Sequence, residues 1–158
     1  MKIHLIRHAH AGRRSAWDGE DKLRPLSPKG TAQAKAIGAA LADANIDLLW
    51  TSAFVRCRQT LLPLATSVGL EIVDHGALIE GAWGTDALDA VLGAHAAGHT
   101  LAACSHGDVI PALVAAAVGR GAQLDGPRAI TKGARYECTV ADGQIDRIVA
   151  VPTPGRDA

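Results

Sequence analysis

The chain has 158 residues, the length of one ordinary domain, and its 16 Lys and Arg residues balance its 16 Asp and Glu residues. This balance removes the long-range attraction on which nucleic-acid-binding and anionic-membrane-binding proteins depend, so any anion binding must be local. Aromatic residues make up only 3% of the chain, and the core must therefore be built mainly from Ala, Leu, Val and Ile.

The spacing of the cysteines and the length of the apolar segments indicate the cellular compartment of the protein. The three cysteines are widely spaced and form no C-x-x-C pair, which argues against a disulfide framework and favours a reducing compartment. Arg7 and His8 interrupt the first apolar segment after five residues, unlike a secretory signal, and the apolar residues 109–118 are too few to span a bilayer. We expect a soluble cytoplasmic protein that binds neither nucleic acid nor membrane.

Predicted strands and helices alternate along the chain. Short runs of aliphatic and β-branched residues predict strands over residues 2–6, 46–51, 71–73, 100–104, 135–140 and 144–151. Apolar residues at helical spacing predict a helix over residues 28–43, helices that follow residues 52 and 85, and a helix over 109–118. This alternation implies a mostly parallel sheet with helices on both faces and a ligand crevice at the carboxyl ends of the strands.

Local signals predict how some of these elements begin and end. Ser52 and Thr85 are candidate N-caps of the second and third helices, and Pro63 should kink or restart the second helix. The dipeptide Asp142-Gly143 between two strand patterns is typical of a type I′ hairpin. This hairpin would add an antiparallel edge to the sheet.

Charged side chains and histidines fall where three of the parallel strands end. Arg7 and His8 follow the first strand, Arg56 lies in the first turn of the helix after the second strand, and His106 follows the fourth strand. These residues should face one crevice, because carboxyl ends of parallel strands meet at one edge of the sheet. Arginine forks match phosphate oxygens, so the pattern predicts a site for a phosphoryl group.

Each of these residues also has a structural interpretation. Arg7 and His8 could only cap the strand in solvent, and His106 could be a turn residue before a helix; their joint placement favours the catalytic interpretation. Arg13 and Arg14 are interpreted as a solvated pair beside the pocket. The segment DGEDK, residues 18–22, is interpreted as a solvated face. The remaining histidines are interpreted as surface or structural residues: His4, His10, His75, His95 and His99.

Three segments resemble the motifs of the histidine phosphatase superfamily, which has the phosphoglycerate-mutase-like fold. LIRHAHAG resembles its first motif, Arg-His-Gly; TSAFVRCRQT resembles its second; and CSHGDV resembles its third, Ser-His-Gly. The three occur in the family's order and cover most of the chain. The segment RPLSPKGTAQA and the short length resemble the SixA-type phosphohistidine phosphatase branch, and also the phosphatase-like domain behind some Nudix hydrolase domains, although the Nudix box is missing here.

The resemblance implies a fold and an activity. The fold is α/β, a three-layer α/β/α arrangement with a mostly parallel central sheet and a C-terminal antiparallel hairpin. A single domain would occupy residues 1–151, and residues 152–158 would form a loose tail. The activity is hydrolysis of a phosphomonoester or phosphohistidine, with a phosphohistidine-bearing protein as the first substrate to consider. No cofactor and no metal are implied.

The resemblance also implies roles for five residues. His8 would be the nucleophile that attacks phosphorus and becomes a transient phosphohistidine. Arg7, Arg56 and His106 would bind the equatorial oxygens of the transferred group. Glu80 is similar in placement to the carboxylic acid that protonates the leaving oxygen in many members and later activates water.

Two positions depart from the family pattern. Ala9 replaces the usual glycine after Arg-His, which is tolerable only if the backbone φ is negative there. His10 stands where many relatives carry an acidic residue. Both changes leave the substrate class open.

The same sequence also fits functions of other classes. His8 and His10 with His106 and Asp108 have the ligand types of a metal site, which would suit a metallohydrolase. The chain could also be a phospho-ligand-binding module without turnover. Within the family it could be a sugar or nucleotide phosphatase, or a phosphomutase. The sequence leaves the oligomeric state open.

Overall fold

The computed structural model describes residues 1–154, which form seven strands and four α-helices. The strands are β1 (Lys2–Arg7), β2 (Leu48–Thr51), β3 (Ile72–Asp74), β4 (Leu101–Ser105), β5 (Gln123–Asp125), β6 (Arg135–Ala141) and β7 (Gln144–Val151). The helices are α1 (Pro28–Leu41), α2 (Val55–Val68), α3 (Gly84–Ala96) and α4 (Val109–Gly119). Short 3-10 turns lie at Arg14–Ala16, Asp21–Leu23 and Gly76–Leu78.

One sheet contains all seven strands in the order β3-β2-β4-β1-β6-β7-β5. The β1–β4, β2–β4, β2–β3 and β5–β7 pairs are parallel, whereas β6 runs antiparallel to both β1 and β7. The mostly parallel sheet with an antiparallel C-terminal hairpin is thereby confirmed. Strand β5 was not predicted, because three residues at a sheet edge are too few to show an alternating pattern.

The helices cover both faces of this sheet and give the three layers. Ile3 and Leu5 of β1 pack in the cluster that includes residues of α3 and α4, whereas Ile6 packs in the cluster with residues of α1 and α2. All three side chains are buried, and each contributes about 1.5–3 kcal/mol through removal from water. The α/β/α prediction is confirmed.

Two predicted helix caps are wrong. The backbone N–H of Ser52, the residue after β2, still donates to the Cys104 carbonyl of β4 at 3.0 Å, and α2 begins only at Val55. Helix α3 begins at Gly84, one residue before Thr85, with Trp83 at the N-cap position. In α3 the first helical hydrogen bond runs from the Ala87 N–H to the Trp83 carbonyl at 3.1 Å, so the helix starts before Thr85.

The predicted restart of α2 at Pro63 is wrong, whereas the predicted hairpin turn is present. Helix α2 is not restarted at Pro63 but runs on to its C-terminus, because Leu61 and Leu64 on either side of the proline are fully buried in the core. The hairpin is confirmed: Asp142 and Gly143 have φ angles of 52° and 77°, the two positive values that a type I′ turn requires.

The predicted tail concerns residues 152–158, of which 155–158 lie outside the described residues. Within the described part, Thr153 is buried, and its hydroxyl donates to the Lys132 carbonyl at 2.9 Å. No helix in residues 1–154 is both long and apolar enough to cross a membrane.

Candidate active site

The parallel pairing of β1 with β4 places the two histidine motifs side by side. Arg7 lies opposite Ser105, and the His8 N–H donates to the Ser105 carbonyl at 3.0 Å. The His8 and His106 rings consequently lie with their centroids 5.5 Å apart. They open into a cavity of about 970 Å³ at the carboxyl ends of the strands. Its lining residues are Arg7, His8, Gly12, Arg13, Arg14, Ser15, Arg24, Arg56, Glu80, His106, Gly107, Asp108 and Lys132.

The His8 ring is oriented by the backbone of the next residue. Nδ1 lies 2.8 Å from the Ala9 carbonyl oxygen, and because a carbonyl can only accept, Nδ1 carries the proton. The lone pair of the neutral ring is then on Nε2. Burial lowers the pKa of His8 to about 3, and the positive charges of Arg56 and Arg7 act in the same direction. His8 is therefore neutral at physiological pH.

The depressed pKa of His8, about 3 against 6.5 in the unfolded chain, predicts a pH dependence of stability. The unfolded chain binds a proton that the folded protein excludes, so stability is full above pH 6.5 and falls as the pH approaches 3. We expect the free energy of unfolding of His8→Asn to depend less on pH, by up to about 1.4 kcal/mol per pH unit, between pH 6 and 4. Urea unfolding at several pH values measures this; equal slopes for both proteins would contradict it.

The two departures from the family motif have structural explanations. Ala9 is buried, its N–H donates to the Thr60 hydroxyl at 3.0 Å, and it is not among the positive-φ residues of the described chain, so the methyl group is tolerated. His10 does not line the cavity. Its Nδ1 lies 2.6 Å from the Ser27 hydroxyl, and its N–H donates to Gln33 Oε1 at 2.9 Å, so it ties the loop to α1.

The Arg7 side chain packs against Gly107, in the turn that precedes α4. Its Nη1 donates to the Ile130 carbonyl at 2.7 Å, while Nε is buried without a partner. A Cβ atom at Gly107 would lie 2.7 Å from the Arg7 Cζ atom, well inside van der Waals contact. Gly107 thus leaves the space that the Arg7 guanidinium occupies.

We predict that Gly107→Ala lowers kcat/KM for an aryl phosphate by about 10- to 100-fold, because a guanidinium misplaced by about 1 Å loses its alignment. The melting temperature should change little, since the atoms that must move are the end of a flexible side chain. Gly93→Ala is the matched control: it lies in α3 with open space around its Cβ position, and activity should stay at the wild-type value. Equal activity of the two variants would contradict this prediction.

Arg56 projects from the first turn of α2 and is only 1% exposed. Its Nη1 donates to the Asp21 carbonyl at 2.9 Å and its Nη2 to Asp21 Oδ2 at 3.1 Å. The guanidinium lies 4.8 Å from the centroid of the Phe54 ring, while Nε is buried without a partner. One edge of the guanidinium is therefore fixed, and Nε makes no hydrogen bond within the protein.

Asp21 was wrongly assigned to a solvated face. Its carboxylate accepts from Arg24 Nε at 3.0 Å and from Arg56 at 3.1 Å, and it lies 3.1 Å from Arg14 Nη2. Although partial burial opposes ionisation, these three arginines hold the pKa of Asp21 below its usual value. No local pattern in the DGEDK segment signals this role, because Arg56 lies 35 positions away.

His106 is buried and fixed through one ring nitrogen. Nε2 lies 2.8 Å from the Ser52 hydroxyl and 3.6 Å from Cys57 Sγ, and the Phe54 ring meets the imidazole edge-on at 4.7 Å. Nδ1 is buried without a partner. Ser52, expected to cap a helix, instead orients this histidine.

Glu80 lies at the mouth of the cavity on the loop that precedes α3. Its Oε1 is 3.1 Å from Arg14 Nη2 and 3.7 Å from Arg56 Nη2. The next residue, Gly81, donates its N–H to Asp108 Oδ2 at 2.8 Å, which joins this loop to the start of α4. The structure thus places Glu80 in the same cavity as the other four predicted site residues.

Metal-ligating side chains are not grouped in the described chain. No three His, Cys, Asp or Glu side chains of residues 1–154 are arranged to hold a metal ion. Of the four side chains considered for such a site, His10 bonds to Ser27 and Asp108 bonds to Gly81.

Comparison with known proteins identifies the family. The model of the family described as "Histidine phosphatase superfamily (branch 1)" matches residues 3–87. An 8-oxo-(d)GTP phosphatase from Mycolicibacterium smegmatis is 32% identical over 144 residues, which are 89% of this chain and 45% of that protein. The chain therefore spans about half the length of this curated relative.

Solved structures give the same fold. A protein from Nakamurella multipartitia described as a candidate phosphohistidine phosphatase SixA is 25% identical, with a TM-score of 0.75 over 98% of this chain and 96% of that chain. The protein histidine phosphatase SixA in complex with tungstate has a TM-score of 0.76 at 19% identity, covering 95% and 97% of the two chains, and shows the fold alone. The resemblance to the SixA-type branch is confirmed, and the chain belongs to the histidine phosphatase superfamily, branch 1.

Proposed function

We propose that the protein is a phosphatase that works through a covalent phosphohistidine on His8. The single observation that carries this proposal is the His8 ring itself: its Nδ1 proton is held by the Ala9 carbonyl at 2.8 Å, which leaves the Nε2 lone pair for attack. Nε2 attacks phosphorus, the bond to the leaving group breaks, and the leaving group departs with the electron pair. Water then attacks the phosphohistidine, which releases phosphate and restores His8.

Three buried nitrogen atoms without partners support the transfer step that we propose. Arg7 Nε, Arg56 Nε and His106 Nδ1 have no hydrogen-bond partner within the protein. An unsatisfied buried polar group costs about 1–3 kcal/mol, so a phosphoryl group that accepts from these atoms gains binding energy. Donors fixed before the reaction also stabilise the charge on the equatorial oxygens in the transition state.

Glu80 is our candidate for proton transfer. Its carboxyl group lies 3.7 Å from Arg56, at the open side of the cavity where a leaving group would depart. In this role it protonates the leaving atom in the first step and takes a proton from water in the second.

We assign a protein-borne phosphohistidine as the first candidate substrate. The structural likeness to SixA proteins and a broad cavity at the surface support this choice. A small phosphate is the second candidate, favoured by the 32% identical relative that is named for action on 8-oxo-(d)GTP. The three free cysteines support a reducing compartment, and we propose the cytoplasm as the location of the protein.

The test is intact-protein mass spectrometry after rapid quenching with acetyl phosphate or an aryl phosphate, with and without a chelator. We expect an acid-labile adduct of one phosphoryl group that maps to His8 and forms equally in the presence of the chelator. Hydrolysis that the chelator abolishes would instead support a metallohydrolase. Phosphate binding without adduct and without hydrolysis would leave a phospho-ligand-binding module, and transfer to a second substrate hydroxyl would indicate a phosphomutase.

A further inference from the structure

Lys132 is a cavity residue that the motifs do not include, and its backbone is fixed beside the nucleophile. The N–H of the next residue, Gly133, donates to the carbonyls of Arg7 and His8, at 3.2 and 3.1 Å. The Lys132 carbonyl accepts from the Thr153 hydroxyl at 2.9 Å. The Lys132 side chain is half-buried and lines the same cavity as His8. The fold thus fixes the Lys132 backbone next to the segment that carries Arg7 and His8.

Three of the six cations that line the cavity share two carboxylates of the protein, Asp21 and Glu80. Arg24 and Arg56 each pair with Asp21, at 3.0 and 3.1 Å. Arg14 pairs with Asp21 and with Glu80, both at 3.1 Å. Two carboxylates thus offset two of these three positive charges, and the third remains for a bound phosphoryl group.

The other three cations have no such partner. Within residues 1–154, no carboxylate oxygen lies within 4 Å of Arg7, Arg13 or Lys132. Lys132 instead faces other cations: burial lowers its pKa, and the charges of Arg7, Arg24 and Arg56 lower it further. Such crowding of like charges destabilises the empty site and favours the binding of an anion.

One transferred phosphoryl group does not pair with all of the cations that line the cavity. In the proposed mechanism Arg7 and Arg56 neutralise the transferred group, which leaves Arg13 and Lys132 on the cavity wall. We propose that Lys132 and Arg13 form a second anion subsite, so that the substrate carries a second anionic group, phosphate or carboxylate, beside the phosphoryl group that is transferred. This inference rests on the proposed function for the position of the first phosphoryl group.

The chemistry of the second group separates the candidate substrates. A second phosphate would mean a diphosphate-bearing small molecule. A carboxylate would mean either a carboxylated small phosphate or an acidic side chain next to a phosphohistidine. Both groups would pair with the same ammonium and guanidinium, so binding measurements must compare them directly.

The experiment is isothermal titration calorimetry at fixed ionic strength, in the presence of a chelator, with three ligands that cannot be hydrolysed. Methylphosphonate carries one anionic group, phosphonoacetate adds a carboxylate, and methylenediphosphonate adds a second phosphonate. We expect at least one of the two-group ligands to bind the wild-type protein about 10-fold or more tightly than methylphosphonate, as a partly screened charge pair allows. The ligand with the larger advantage identifies the second group.

Variants locate the subsite. In Lys132→Met the advantage of the two-group ligand should disappear, and in Arg13→Gln it should shrink, whereas Lys132→Arg should keep it. Lys35→Met is the matched control, because Lys35 is an exposed lysine of α1 that does not line the cavity. Melting temperatures confirm that each variant is folded.

Equal affinity of the wild-type protein for all three ligands would overturn the proposal, as would an unchanged advantage in Lys132→Met. Because binding is measured without turnover, the result is separate from the proposed function. A protein that forms the His8 adduct but shows no preference would refute only the subsite. A protein with the preference but no adduct would refute only the covalent mechanism.

Discussion

Replacement of His8 by asparagine should lower kcat/KM for an aryl phosphate by at least about 10⁴-fold, the scale seen when a covalent nucleophile is removed. Asparagine can keep a hydrogen bond to the Ala9 carbonyl, which His8 makes at 2.8 Å, but it offers no basic ring nitrogen to phosphorus. Phosphate binding should persist, since Arg7, Arg56 and His106 remain. Steady-state kinetics together with phosphate titration measures both effects.

His10→Asn is the matched control within the same motif. His10 contacts Ser27 and Gln33 and does not line the cavity, so we expect activity within a few-fold of wild type and a small decrease in melting temperature. If His8→Asn still hydrolyses the aryl phosphate, the covalent mechanism is refuted. If both variants lose kcat/KM to the same extent, the loss comes from a disturbed loop and not from removal of the His8 ring.

Replacement of Arg56 by alanine should lower kcat/KM by about 10²- to 10³-fold, the cost of losing one preorganised donor to the transferred group. The variant should still fold, because the Asp21 carboxylate keeps its contacts to Arg24 and Arg14, at 3.0 and 3.1 Å. Arg56→Lys should recover only part of the activity, since an ammonium cannot hold Asp21 and the phosphoryl group in the fixed geometry of a guanidinium fork.

Arg58→Ala provides the control for loss of a positive charge from the same helix. Arg58 is more exposed than Arg56, pairs with Asp74 and does not line the cavity, so its removal should leave kcat/KM unchanged. Equal kcat/KM values for Arg56→Ala and wild type would show that Arg56 does not act on the transferred group. Kinetics and thermal unfolding of the three variants distinguish loss of chemistry from loss of fold.

The sequence predicted much of the fold and four of the cavity residues for local reasons, whereas Glu80 followed from the family resemblance. Strand and helix patterns are set by the spacing of apolar residues, which each segment carries by itself, and the positive φ values at Asp142 and Gly143 follow from their own residue types. Arg7, His8 and His106 could be placed at one edge because parallel strands in one sheet present their carboxyl ends together.

Local signals failed where a distant partner decides the outcome. Ser52 has the chemistry of a helix cap, yet its hydroxyl lies 2.8 Å from a histidine 54 positions later in the chain. Asp21 lies in a charged segment that is typical of a solvated face, yet it pairs with a buried arginine 35 positions away. These side chains bond to partners that the segments themselves do not contain.

The amino-acid sequence by itself determined the family, the alternation of strands and helices, and the placement of Arg7, His8, Arg56 and His106 at one cavity, because each follows from a short segment or from strand order. Only the tertiary structure decided which nitrogen of His8 is free, which cavity cations pair with carboxylates of the protein, and that Lys132 lies next to the segment that carries His8. The physical reason is that burial and charge pairing depend on contacts between segments far apart in the chain, and such contacts exist only after the sheet and its loops have assembled.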